Sequence, residues 1–194
     1  MYQKYKNIKQ IYNLTDEQLI EGCIRKDAQC QKAVFDRYGS KLLGVSVRYA
    51  RNNADAEDIL QDAFIKVFEK INQFRHEGSF EGWMRRIVVN VALKKYKVLR
   101  YSSEQTDKDI AEHEDIIHND ASAYAHLSEK DLLKLINELP DGYRLIFNMY
   151  VIEGYKHEEI AALLQINAGT SRSQLAKARN LLQKQILQLQ RVAV

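Results

Sequence analysis

Apolar side chains recur along this chain at the spacing of a helix and almost nowhere at the alternation of a strand. In DAEDILQDAFIKVFEKI, Ile59, Ala63, Val67 and Ile71 fall every fourth residue, flanked by Leu60, Phe64 and Phe68, so a helix starting at Asp55 turns this stripe inward. Upstream, Thr15 with Gln18 three residues on makes a capping box for a helix from about Asp16 to Arg25. Asp27 caps a second helix, whose apolar set Ala33, Val34, Phe35 and Tyr38 ends near Gly39. A third segment, KLLGVSVRYA, stops at Asn52-Asn53. After the loop NQFRHEGS, a helix from about Phe80 to Lys97 carries Trp83, Met84, Ile87, Val88 and Val91 as its buried stripe. Residues 14–100 are thus predicted to form one compact helical domain.

Residues 101–127 are polar, without Gly or Pro and with little periodicity, and read as a flexible linker. The pattern resumes at Ser128, which caps EKDLLKLINEL, and Pro140 ends that helix. Asp141 to Ile152 is the next, with Leu145, Ile146, Met149 and Tyr150 inside, and EGY makes the turn. HEEIAALL, then QIN, then AGTSRSQLAKARNLLQKQILQL reads as a helix–turn–helix, with Asn167 as N-cap of its second helix. The expected fold class is all-α: a basic tail over 1–13, a helical domain over 14–100, an acidic linker over 101–127 and a second helical domain over 128–194.

Composition supports this and narrows the chemistry. One Pro and eight Gly in 194 residues supply too few turns for many short strands. The longest apolar stretches, such as LIFNMYVI, fall far short of the roughly 20 residues that cross a bilayer. MYQKYKNIKQIYN is basic but lacks the apolar run of a secretory signal. A cytoplasmic protein without membrane insertion is expected, with Cys23 and Cys30 as small buried side chains in a reducing compartment. HEDIIH looks like a zinc-protease motif, but His113 and His118 stand five apart, which rotates them by roughly 140° on a helix, so no metal is expected there. His157 reads as a solvated first-turn residue. No Gly-rich phosphate loop, nucleophile elbow or catalytic carboxylate pair is present, so neither an enzyme, a cofactor nor a small-molecule substrate is expected.

Net charge is only +3, yet the charges are segregated. Residues 1–100 carry 19 basic and 12 acidic side chains, residues 101–127 one and seven, and residues 128–194 nine and seven. Arg85 to Arg100 holds Arg85, Arg86, Lys94, Lys95, Lys97 and Arg100 without an acid. Ala168 to Val194 holds Arg172, Lys177, Arg179, Lys184 and Arg191, again without one. Two acid-free basic helices predict two contacts with a polyanion. On the second, Leu175, Ala178, Leu182 and Ile186 recur as a packing face. Thr170, Arg172, Ser173, Lys177 and Arg179 lie opposite, with small Ala176 permitting close approach. Such a face suits duplex DNA: Arg grips guanine bidentately, while Lys, Ser and Thr take phosphates or single acceptors.

The order of DAEDILQDAFIKVFEKI, SFEGWMRRIVVNVALKKYK and LPDGYRLIFNMYVIEGYKHEEIAALLQINAGTSRSQLAKARNLL resembles the extracytoplasmic-function (ECF) sigma factors of bacterial RNA polymerase. The resemblance covers residues 14–100 and 128–190. It implies a region-two domain that binds core polymerase and melts the −10 element, and a region-four domain that reads the −35 element. By resemblance, Asp58, Leu60, Gln61, Asp62, Phe64 and Ile65 would meet the polymerase clamp, although Leu60 and Phe64 read equally well as core. The loop residues Asn72, Gln73, Phe74, Arg75 and His76 would capture a flipped −10 base, and Arg85, Arg86, Lys94, Lys95 and Lys97 would track the single strand. Trp83 reads as core rather than as a stacking platform. Thr170, Arg172, Ser173, Ala176, Lys177 and Arg179 would read the −35 duplex. The acidic linker would thread the polymerase cleft, or serve as a solvated spacer. Core RNA polymerase and promoter DNA are the implied partners, with an anti-sigma factor as a further class, since many relatives are held by one.

One departure stands out: the family commonly has Ser or Thr where this chain has Lys156, so the capping box before HEEIAALL is expected to be missing and that helix to fray, at a cost on the order of 1 kcal/mol. Two other functions fit the residues less fully. A stand-alone helix–turn–helix regulator would leave residues 14–100 as a sensor without a ligand-like constellation. A protein-interaction module would leave the acid-free recognition helix unexplained.

Overall fold

A computed structural model describes residues 13–102 and 128–192. The chain divides into two compact units, residues 1–103 and 104–194. The basic tail, the acidic segment with His113 and His118, and the side chains of Lys97, Arg100 and Arg191 lie outside the described residues.

In the first unit, α1 (Asp16–Ile24) starts at the expected capping box: Thr15 Oγ1 accepts from the Gln18 N–H at 3.3 Å, and Gln18 Oε1 accepts from the Thr15 N–H at 3.0 Å. Lys26, left-handed at φ 60°, turns the corner into α2 (Ala28–Tyr49), whose first N–H groups are taken by Asp27 Oδ1. The second and third segments are one continuous helix, so Gly39 is not a terminus. It is buried under the Phe35 ring, between Tyr38 and Leu42 of one inward stripe. That packing outweighs the roughly 1 kcal/mol that glycine costs a helix.

The next helix, α3 (Asn53–Lys70), begins two residues before Asp55, because Asn52 Oδ1 accepts the Asp55 N–H at 2.8 Å. A single 3₁₀ turn, Ile71–Gln73, leads into the loop before α4 (Phe80–Ser102). The buried stripe of α4 is rotated from the expected one: Phe80, Met84, Val88, Val89, Ala92 and Leu93 are buried, while Trp83, Ile87 and Val91 are only half-buried. The reason is that α2 and α3 both pack on α4, which widens its apolar face toward Val89 and Leu93.

The second unit is built around its last helix. Ser128 caps α5 (Glu129–Asn137) by accepting the Asp131 N–H at 3.2 Å. Next, α6 (Asp141–Phe147) runs into a π-helical turn, Asn148–Ile152. Gly154, at φ 75°, turns the chain into α7 (His157–Leu164). Gln165, at φ 58°, ends that helix, with the Ile166 N–H donating to the Ala161 carbonyl at 3.1 Å. The long α8 (Ala168–Val192) packs on α5, α6 and α7. Leu135, Ile136, Leu139, Ala178, Leu182 and Ile186 form a buried core there.

Two expectations change in this unit. Tyr150 is not inside: the π turn holds more residues per turn than an α-helix and shifts the phase, so Met149 stays buried while Tyr150 emerges. The start of α7 keeps half of its capping box. Glu159 Oε2 accepts the Lys156 N–H at 2.7 Å, whereas an ammonium has no lone pair to return the bond.

Candidate nucleic-acid and polymerase interfaces

Asp58, Gln61, Asp62, Ile65 and Glu69 form an exposed stripe along α3, with Ile65 56% exposed. Leu60 and Phe64 do not belong to it. They are 7% and 4% exposed, and the Phe64 ring lies 4.8 Å from Phe35 and 5.9 Å from Phe68. In this structure both side chains are packed in the core of the unit rather than standing on the stripe.

The loop after α3 hangs from aromatic rings. Phe74 is half-buried, with ring centroids 4.7 Å from His76, 5.4 Å from Phe80 and 5.6 Å from Trp83. Phe80 stacks on Trp83 at 5.8 Å and meets Tyr38 edge-on at 5.8 Å, so Trp83 is an inner wall of this group. Asn72, Gln73, Arg75 and His76 are exposed, and His76 sits at φ 57°, a left-handed conformation that costs a non-glycine residue about 1 kcal/mol or more. Ser79 starts α4 by accepting the Gly82 N–H at 3.1 Å.

On α4, Arg86 and Lys94 are exposed and Arg85 is half-buried. Lys95 reaches α3, its Nζ 3.3 Å from Asp58 Oδ2. This link joins a cation of the expected DNA surface to an acid of the expected polymerase surface. Thirty-seven residues separate the two, so sequence spacing carried no sign of it.

On α8, Arg172, Ser173, Ala176, Lys177 and Arg179 are exposed and Thr170 half-buried, while Leu175, Ala178, Leu182 and Ile186 are buried on the other side. Two contacts tie α7 to this helix. His157 Nδ1 lies 2.9 Å from the hydroxyl of fully buried Ser171, and its ring stacks on Tyr150 at 4.3 Å. Arg172 Nη2 donates to Glu158 Oε1 at 2.7 Å. His157 is therefore a packed residue rather than a solvated one, because α8 presents Ser171 to it. Neither pair is local in sequence, and both were missed.

No described helix is long and apolar enough to cross a membrane. Residues 34–101 match the Sigma-70 region 2 family, and residues 129–182 match Sigma-70 region 4. The chain is 30% identical over 190 residues to the ECF RNA polymerase sigma-E factor of Haemophilus influenzae, covering 89% of this chain and 96% of the relative. The chain belongs to the ECF sigma factors. A second relative is the RNA polymerase sigma-H factor of Pseudomonas aeruginosa, 31% identical over 189 residues, which cover 92% of this chain and 97% of that one. Among solved structures, the sigma factor RpoE in complex with the anti-sigma factor NepR from Bartonella quintana shares the fold, with a TM-score of 0.50 at 23% identity over 81% of this chain and 96% of that one. The two helical units of this ECF sigma factor are sigma regions 2 and 4, and a stand-alone regulator, which needs only the second, is not favoured.

Proposed function

We propose that this alternative sigma factor binds bacterial core RNA polymerase and directs it to promoters through −10 and −35 elements. The observation that carries the reading is α8. Its exposed face offers Arg172, Ser173, Lys177 and Arg179 around small Ala176, and no acid stands between residues 168 and 194. Such a helix gives cations to phosphates and a fork to a guanine edge, while its buried side holds it on the rest of the unit. In the first unit, Asp58, Gln61, Asp62 and Ile65 form the polymerase contact. Asn72, Gln73, Arg75 and His76 meet the opened −10 strand, and Arg85, Arg86, Lys94, Lys95 and Lys97 follow its backbone.

The protein has no catalytic activity of its own in this reading and works in the cytoplasm, where template and polymerase are. The Bartonella sigma factor is bound to an anti-sigma factor, and an antagonist of that class is a further partner. Transcription in vitro with core polymerase tests the proposal. Initiation at defined sites only when the chain is added supports it. Tight, specific duplex binding without core, with no effect on initiation, refutes it in favour of a stand-alone regulator.

A further inference from the structure

The face of α8 that the proposed function assigns to DNA carries no acid of its own, yet an acid is delivered to it. Glu158, on the first turn of α7, is 65% exposed at its side chain, and its Oε1 accepts from Arg172 Nη2 at 2.7 Å. The adjoining pair, His157 with buried Ser171, locks the same two turns together at 2.9 Å. Residues 157 and 158 thus meet residues 171 and 172 as two successive rungs, the first part-buried and the second in solvent. An exposed ion pair contributes little to stability. A carboxylate beside a phosphate-binding surface also opposes DNA through its charge. Neither folding nor general affinity accounts for its place.

Orientation does. Arg172 has five N–H donors in a planar fork, and Glu158 takes one of them, leaving the rest of the fork to a base edge. The pair biases the side chain, otherwise free to sample many rotamers, toward one of them before DNA arrives. The negative charge at its shoulder disfavours docking of the fork on a phosphate, which carries no sequence information. We infer that Glu158 is a positioning and specificity residue for promoter recognition, which aims Arg172 at a base edge and withholds it from the backbone. The inference rests on the assignment of α8 to the −35 element.

The test uses holoenzyme formed from core polymerase and the full chain, and a promoter library randomised over the −35 region. Initiation is sequenced for the wild type, Glu158→Gln, Arg172→Ala and the double variant. Glu158→Gln is expected to flatten the preference at one base position by about three- to tenfold, the worth of ordering one long side chain. Preference at the other positions should stay unchanged, and binding to non-promoter duplex should be equal or tighter. Adding Glu158→Gln to Arg172→Ala should change nothing further, and Glu158→Asp should restore part of the preference. Thermal unfolding of the variants separates these effects from a loss of structure.

Preference kept within twofold in Glu158→Gln, or additive effects in the double variant, overturns the positioning role while leaving −35 reading by α8 intact. A wild type without any −35 preference overturns both.

Discussion

Gly22 sits where α1 crosses α2, and a methyl group there would lie 2.3 Å from Cys30 Sγ and 2.8 Å from its Cβ. Cys30 is itself buried, so the clash cannot relax into solvent, and one helix must move. Overpacking of this kind costs about 1–3 kcal/mol, and so close an approach belongs at the upper end. Alanine gains about 1 kcal/mol over glycine in helix propensity. Gly22→Ala should therefore destabilise the first unit by about 2 kcal/mol, where an exposed helical site would be stabilised. Cys30→Ala alone removes one buried sulfur, a loss of about 1 kcal/mol. In the double variant the sulfur is gone, but the Cβ at position 30 stays 2.8 Å from the new methyl group, so only part of the overpacking is relieved, about 1 kcal/mol. The expected loss is about 2 kcal/mol rather than the additive sum of about 3 kcal/mol, a coupling of about 1 kcal/mol. Urea unfolding followed by tryptophan fluorescence reads this directly, since Trp83 is the only tryptophan and lies in the first unit. Additive effects within about 0.5 kcal/mol would refute the crossing geometry.

Three further outcomes are expected. Burial pushes the Cys23 thiol up to about 12, with the charges of Cys30 and Asp27 adding. Burial and Asp27 also raise Cys30, and burial with the Asp16 hydrogen bond pushes Tyr38 up to about 12. The native state holds these protons more tightly than the unfolded chain, which releases them from about pH 8.5–10. Stability should be full below that range and fall as pH rises toward 12, and a melting midpoint flat from pH 8 to 11 would contradict this. Ile65→Glu, on the exposed stripe of α3, should leave urea stability within about 0.5 kcal/mol and weaken association with core polymerase; unchanged association in a pull-down would remove Ile65 from the contact. Lys156→Ser should supply the missing half of the α7 capping box and stabilise the second unit by about 0.5–1 kcal/mol in thermal unfolding.

The helices themselves were legible because their apolar stripes and caps are local signals. Thr15 with Gln18, Asp27 and Ser128 each cap where the spacing put them. What failed to show was what one helix does to another. Gly39 reads as a terminus until Phe35 covers it. The run Asp141–Ile152 reads as one α-helix until the π turn shifts Tyr150 outward. Leu60 and Phe64 lie on the same helix as Asp58 and Gln61, and only the packing of α2 separates core from surface. In the candidate sites, exposed cations were readable one by one. Their partners were not, because Lys95 finds Asp58 and Arg172 finds Glu158 across helices rather than along them.

The aromatic group of Phe74, Phe80, Trp83 and Tyr38 divides the loop between α3 and α4 into an anchored root and an open tip. Rings at the root keep both ends of the loop in place whatever residues stand at Arg75 or Glu77, which face solvent. Mutation there escapes the stability penalty that guards a core. In the proposed reading of the loop as the part that meets the opened strand, new tip sequences can serve new target sites on an unchanged scaffold.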